Sequence, residues 1–134
     1  MSEAELQKNI AIYIRSQYPD VIFHSDFGSG VKLRPNQAKM QKIQNGGRRA
    51  WPDMFIAEPK LASDKSEKCK YYKHGLFIEL KKEGVRLKKK NGEYASEHIA
   101  EQAKVLGDLL ERGYEARFAV GFDEAVKIID EYLE

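Results

Sequence analysis

Two short apolar runs, each with a carboxylate at one end, constrain this chain more than any other feature. The first follows Gly46-Gly47-Arg48-Arg49-Ala50-Trp51-Pro52-Asp53 and extends to Ala57; the second is Gly75-Leu76-Phe77-Ile78-Glu79-Leu80-Lys81. Read as a strand, the second run places Leu76, Ile78 and Leu80 on one face and Phe77, Glu79 and Lys81 on the other. A carboxylate and an ammonium then project side by side, and Asp53 meets them if the two strands pair. Two carboxylates and a lysine at one spot can hold a hard divalent cation and a water against a phosphate. On an exposed strand, Glu79-x-Lys81 would instead be a solvated ion pair. Pro52-Asp53 before the first strand and the apolar flanks of both acids favour a site. A charged pair that ends an apolar run belongs near a sheet end, where open sheets place their sites.

The rest of the chain supplies a frame for such a sheet. Ser2 to about Arg15 reads as a helix, with Leu6, Ile10, Tyr13 and Ile14 on one face. Ser2 and Glu5 have capping-box spacing. Tyr18-Pro19-Asp20 ends that helix, Val21 to Ser25 suits a strand, and Phe27-Gly28-Ser29-Gly30 a flexible turn. Pro35 to Gln44 suits a short helix with thin apolar content, closed by Gly46-Gly47. Residues 58–74 are polar and lysine-rich, long for a hairpin loop, and suit a mobile segment or a nucleic-acid-contacting excursion. Asn91-Gly92 signals a tight turn in a small basic hairpin. Ser96 caps a helix to about Arg112, ended by Gly113, with Ile99, Ala103, Leu106 and Leu110 as its apolar stripe and Gln102 at the stripe's border. Tyr114 to Val120 forms a further strand, and Asp123 caps a last helix whose apolar face carries Ala125, Ile128, Ile129, Tyr132 and Leu133. The expected architecture is α/β: a central mixed sheet flanked by helices in three layers. His24 and His98 have no partners at ligand spacing, and Trp51 is expected in the core rather than stacked on an unpaired base.

Composition narrows the partners. The 134 residues suit one domain spanning 1–134. No run approaches membrane-spanning length and the N-terminus has no signal-peptide pattern. The one cysteine, Cys69, sits in a lysine-rich stretch and is expected as an exposed thiol. These features point to a cytosolic setting. The net charge is only +2, yet it is segregated. Residues 32–49 hold Lys32, Arg34, Lys39, Lys42, Arg48 and Arg49 and no acid, whereas residues 93–134 hold four basic and eleven acidic residues. A polyanion-binding centre is the expected reading. Lys82, Arg86, Lys88, Lys89 and Lys90 in the small hairpin extend it toward backbone phosphates.

The order Arg49-Ala50-Trp51-Pro52-Asp53, then Phe77-Ile78-Glu79-Leu80-Lys81, then Gln102 on a helix ending at a glycine, resembles the VRR-NUC family of the PD-(D/E)xK nuclease superfamily. The resemblance runs from about Glu5 to the C-terminus. It implies a restriction-endonuclease-like fold and a metal-dependent phosphodiesterase acting on DNA. Stand-alone members of this size are associated with homodimers that cut branched DNA such as four-way (Holliday) junctions in repair and recombination. It also implies that Asp53, Glu79 and the backbone carbonyl of Leu80 ligate Mg²⁺ or Mn²⁺. Lys81 would then orient water or stabilise the transition state, and Gln102 would position Lys81 or the water. Glu5, on the first helix, matches the acid that the family keeps near its metal; the capping box is its other reading. The segment between the Glu-x-Lys strand and Gln102 looks longer here than is usual in the family. The competing expectations are a flap, nick or linear-DNA nuclease and, from another class, a non-catalytic nucleic-acid-binding module.

Overall fold

The computed structural model describes residues 1–26, 32–48, 50–63 and 70–134. The turn expected at Phe27–Gly30, the candidate phosphate ligand Arg49 and the thiol of Cys69 lie outside the described residues. Helix α1, Glu3–Gln17, starts at the expected capping box and buries Leu6, Gln7, Ile10 and Ile14. Strand β1, Phe23–Ser25, follows, then helix α2, Pro35–Gln44, which buries no residue. Strands β2, Met54–Ile56, and β5, Leu76–Lys81, flank a hairpin of β3, Lys60–Ser63, and β4, Lys70–Lys73. Helix α3, Glu97–Glu111, strand β6, Glu115–Val120, and helix α4, Phe122–Leu133, complete the chain.

The main sheet has the order β1-β2-β5-β6. β1 and β5 run antiparallel to β2, while β5 and β6 are parallel and joined through α3, so the sheet is mixed. Parallel neighbours need a long crossover, and a helix supplies it. The alternation of β5 divides the interior in two. Leu76, Ile78 and Leu80 join Met54 and Ile56 in a core closed by Leu6, Ile10 and Ile14 of α1 and Ile128, Ile129 and Tyr132 of α4. Phe77 turns the other way, into a second core with Ala50, Val105, Leu106, Leu109 and Ala116 beneath α3. The helices thus form layers on both faces of the sheet, the expected α/β arrangement.

Four details differ from the sequence expectation. Part of the 58–74 stretch is ordered as the β3–β4 hairpin, which leaves the main sheet beside the Ile56–Leu76 pair, the end away from Asp53 and Lys81. On α3, Val105 and Leu109 are buried and Leu110 is 42% exposed, so the stripe is rotated and Gln102 lies inside it rather than at its border. Trp51 is 41% exposed, resting edge-on against Phe77 at 5.6 Å, because the second core is already filled from α3 and needs only a lid at this edge. The last helix begins after Gly121, without a side-chain cap from Asp123.

Candidate active site

The β2–β5 register pairs Met54 with Ile78, so the next pair along is Asp53 with Glu79. Cross-strand partners share a face, which puts both carboxylates with Lys81 on the α3 side. Asp53 is held from two directions. Its Oδ2 accepts the backbone N–H of Leu80 at 2.8 Å, and its carbonyl accepts the N–H of Asp26 at 2.8 Å. The proline before it suits a position where the ladder begins.

Glu79 and Lys81 are 4% and 6% exposed, more buried than a solvated ion pair would be. Their N···O distance is 3.9 Å, beyond hydrogen-bond reach. Gln102 reaches in from α3 and donates to Glu79 Oε1 at 2.6 Å. Glu79 Oε2 and Gln102 Oε1 are buried without a hydrogen-bond partner. Burial, and next the negative charge of Asp53, push the Glu79 carboxyl up to about 9; Lys81 opposes them only in part. A group so perturbed, at a sheet end and beside a second acid and a lysine, has the character of a functional centre.

A hard divalent cation fits this donor set. It would supply the partner that Glu79 Oε2 lacks, and it would offset the charge repulsion between Asp53 and Glu79. The donors are oxygens, as Mg²⁺ and Mn²⁺ prefer. Among the described residues no three His, Cys, Asp or Glu side chains gather as a ready-made metal cluster.

Around this centre the other named residues separate. Glu5 is exposed, with Oε2 accepting the Ser2 N–H at 3.3 Å as part of the cap. The first-helix acid whose charge reaches Glu79 is Glu3. Lys32, Arg34, Lys39, Lys42, Lys82, Arg86, Lys88, Lys89 and Lys90 are all exposed. Arg48 instead bridges to Asp108 on α3 at 3.0 Å, which ties the end of α2 to the helix that carries Gln102. The basic segment after β5 forms a small turn, with Lys88 bridged to Tyr94 and the Lys88 ammonium 5.3 Å from the ring centre. Sequence reading passed over Gln7. It is buried on α1 and donates to Ser25 Oγ at 2.7 Å and the Asp26 carbonyl at 2.8 Å, bracing the strand end beside Asp53. Its place among apolar positions of an amphipathic helix was the available signal.

A solved structure described as a VRR_NUC domain protein superposes with a TM-score of 0.66, over 99% of this chain and 88% of that one, at 24% sequence identity. This chain has the VRR_NUC fold. The likeness is one of fold, and the mixed, helix-flanked sheet is restriction-endonuclease-like, as expected. No protein-family profile matches the sequence, and no curated protein matches it. Among the described residues no helix is long and apolar enough to cross a membrane.

Proposed function

We propose that residues 1–134 form one nuclease domain of the VRR-NUC family. It is a Mg²⁺- or Mn²⁺-dependent endonuclease that hydrolyses DNA phosphodiester bonds and acts as a homodimer on four-way junctions. The observation that carries the reading is the Asp53–Glu79–Lys81 group at one sheet end, half-buried at Asp53 and buried at Glu79 and Lys81, with an unpartnered Glu79 oxygen and Gln102 locked onto Glu79.

Asp53, Glu79 and the Leu80 carbonyl would hold the ion. When bound, it supplies Lewis-acid polarisation of the phosphate and a lowered pKa for its water. Lys81 is a fixed cation in a partly dry site, placed to stabilise negative charge developing on phosphate oxygens. Gln102 fixes the Glu79 carboxylate and, through it, the distance to Lys81. Asp53 keeps its orientation through the Leu80 N–H. Glu5 remains the first-helix acid matched to the family, able to assist metal or water binding, and Glu3 on the same turn adds negative charge felt at Glu79. The basic side chains of α2 and of the turn after β5 would hold flanking phosphates.

A second copy would supply the second site that paired cuts in a symmetric junction require. The exposed apolar side chains Met1 and Ile12 on α1, and Leu61 and Tyr72 on the hairpin, are surfaces available for it.

The test is cleavage of matched four-way junction, flap, nicked, single-stranded and duplex substrates with Mg²⁺ and Mn²⁺, with Lys81→Ala as control. Paired junction cuts that the variant abolishes are expected. Cleavage that favours flaps or linear DNA would keep the site and remove the junction claim. Tight binding with no metal-dependent cleavage of any substrate would replace the reading with a nucleic-acid-binding module.

A further inference from the structure

Helix α2 is exposed along its length except at the half-buried Gln41. None of its residues is buried, and Met40 and Ile43 are 54% and 63% exposed. A ten-residue helix is marginal in water unless a face is covered. Its chemistry indicates the cover. Gln37, Gln41 and Gln44 recur at spacings of four and three, and with Asn36 these four carboxamides line one side together with Leu33 and Met40. Lys39 and Lys42 flank that side, and residues 32–49 contain no acid.

The carboxamides are poised to donate and accept. Gln37 and Asn36 use only their oxygens, on the Arg34 and Gln37 N–H groups at 3.0 Å each, and so keep their NH₂ groups free. The side-chain amides of Gln41 and Gln44 hold no hydrogen bond among the described residues. Two such helices would not pack together well, since each brings Arg34, Lys39 and Lys42 against the same charges. A duplex offers the complement: phosphates for the lysines, and in the major groove adenine edges that match a carboxamide donor and acceptor, with thymine methyls for Met40. The Arg48–Asp108 bridge anchors the helix end to α3, six residues or about 9 Å of helix rise from Gln102.

We infer that α2 is a groove-reading helix: Gln41 and Gln44, with Asn36 and Gln37, give this protein a base preference for A·T pairs in the duplex beside its cleavage site. The inference deepens the nuclease reading and rests on it for the word cleavage, but not for binding.

The test is selection of bound duplexes from a randomised library by metal-free wild-type protein and by Gln41→Ala/Gln44→Ala. Gln44 is exposed and Gln41 half-buried with a side-chain amide that bonds nothing among the described residues, and alanine is a good helix former at both. Wild type is expected to enrich A·T pairs at a fixed position by roughly tenfold, the worth of one good carboxamide–adenine pair, and the double variant to lose most of that enrichment. Lys42→Ala should weaken binding to all sequences alike and reduce the salt dependence. No enrichment by wild type, or enrichment unchanged in the double variant, overturns the inference. So does a double variant that changes oligomeric state in sedimentation and leaves enrichment intact. Enrichment as expected, with no metal-dependent cleavage of any substrate, would remove the nuclease reading and leave base reading in place.

Discussion

Glu79→Gln should stabilise the metal-free protein while abolishing cleavage. The Glu79 carboxyl rises from 4.5 to about 9 on folding, first through burial and then through the charge of Asp53. The sign follows from linkage. Below pH 4.5 the group is protonated in both states and folding costs nothing extra. As pH rises the unfolded chain loses its proton and the folded one keeps it, so stability falls by about 1.4 kcal/mol per pH unit until the folded group ionises near pH 9. At pH 7 the cost is about 3 kcal/mol. Glutamine removes the titration from the unfolded state, and in the folded state a neutral amide replaces a neutral acid. Its oxygen still accepts from Gln102, and its NH₂ can donate toward Asp53. Lys81 loses no charged partner at this pH, because the Glu79 beside it is already protonated. Urea unfolding in EDTA should therefore show the variant about 3 kcal/mol more stable at pH 7, roughly 10 °C in Tm, with the two proteins converging at pH 4. Added Mg²⁺ should raise the wild-type midpoint and not that of the variant. A variant no more stable than wild type at pH 7, or a difference that does not grow between pH 4.5 and pH 9, refutes the argument.

Lys81→Ala should lower cleavage by at least about 100-fold and change DNA affinity only a few-fold, because a cation fixed at the reacting phosphate acts mainly on the transition state; single-turnover cleavage and metal-free binding separate the two. Gly75→Ala should destabilise by roughly 1–3 kcal/mol in urea unfolding, because a Cβ there would lie 2.5 Å from Phe55 Cε1 and 2.8 Å from the Ile56 carbonyl, where the Phe55–Phe77 stack leaves no slack. Asp130→Asn should let the Tyr13 hydroxyl titrate below its raised value of about 12 in an ultraviolet titration, since Asp130 Oδ1 accepts from both Tyr13 and Tyr18 at 2.6 and 2.7 Å. Gln102→Leu should lower cleavage more than stability, because it removes the bond that orients Glu79 along with a buried amide oxygen that has no partner.

Most of the frame was legible because it rests on local signals. The Ser2–Glu5 box, the Ser96 cap, Gly113 and the alternation along Leu76–Lys81 each declare themselves within a few residues. The pairing of Asp53 with Glu79 was legible only as a condition, since strand register depends on partners distant in sequence. Gln102 was found as a helix position near the core, but its bond to Glu79 depends on how α3 is rotated. That rotation follows from Val105 and Leu109, which pack under the sheet in place of Leu110. Glu5 and Glu3 show the limit of spacing arguments. Both fit the first turn of α1, and only the docking of the helix on the sheet decides which charge is felt at Glu79. The β3–β4 hairpin was hidden by its own composition, because strands that pair only with each other need no apolar face to bury.

The arrangement has an internal logic that starts at β5. Every residue of this strand is buried, so any charge on it must be compensated inside the protein. Its first core face is apolar to the last residue, Leu80, and anchors the strand between α1 and α4. The opposite face changes from Phe77 to Glu79 to Lys81 within five residues, and the aromatic packing of Phe55, Phe77 and Trp51 closes that side just before the charges begin. Compensation from within is incomplete. Gln102 serves one oxygen of Glu79, the Lys81 ammonium stands beyond hydrogen-bond reach, and the second carboxylate adds repulsion. A strand this firmly held could have carried leucine at both positions with a gain in stability. Keeping Glu79 and Lys81 there is intelligible when a cation and a phosphate complete the network, which makes metal-dependent stabilisation of the wild type, absent from Glu79→Gln, the sharpest consequence of the design.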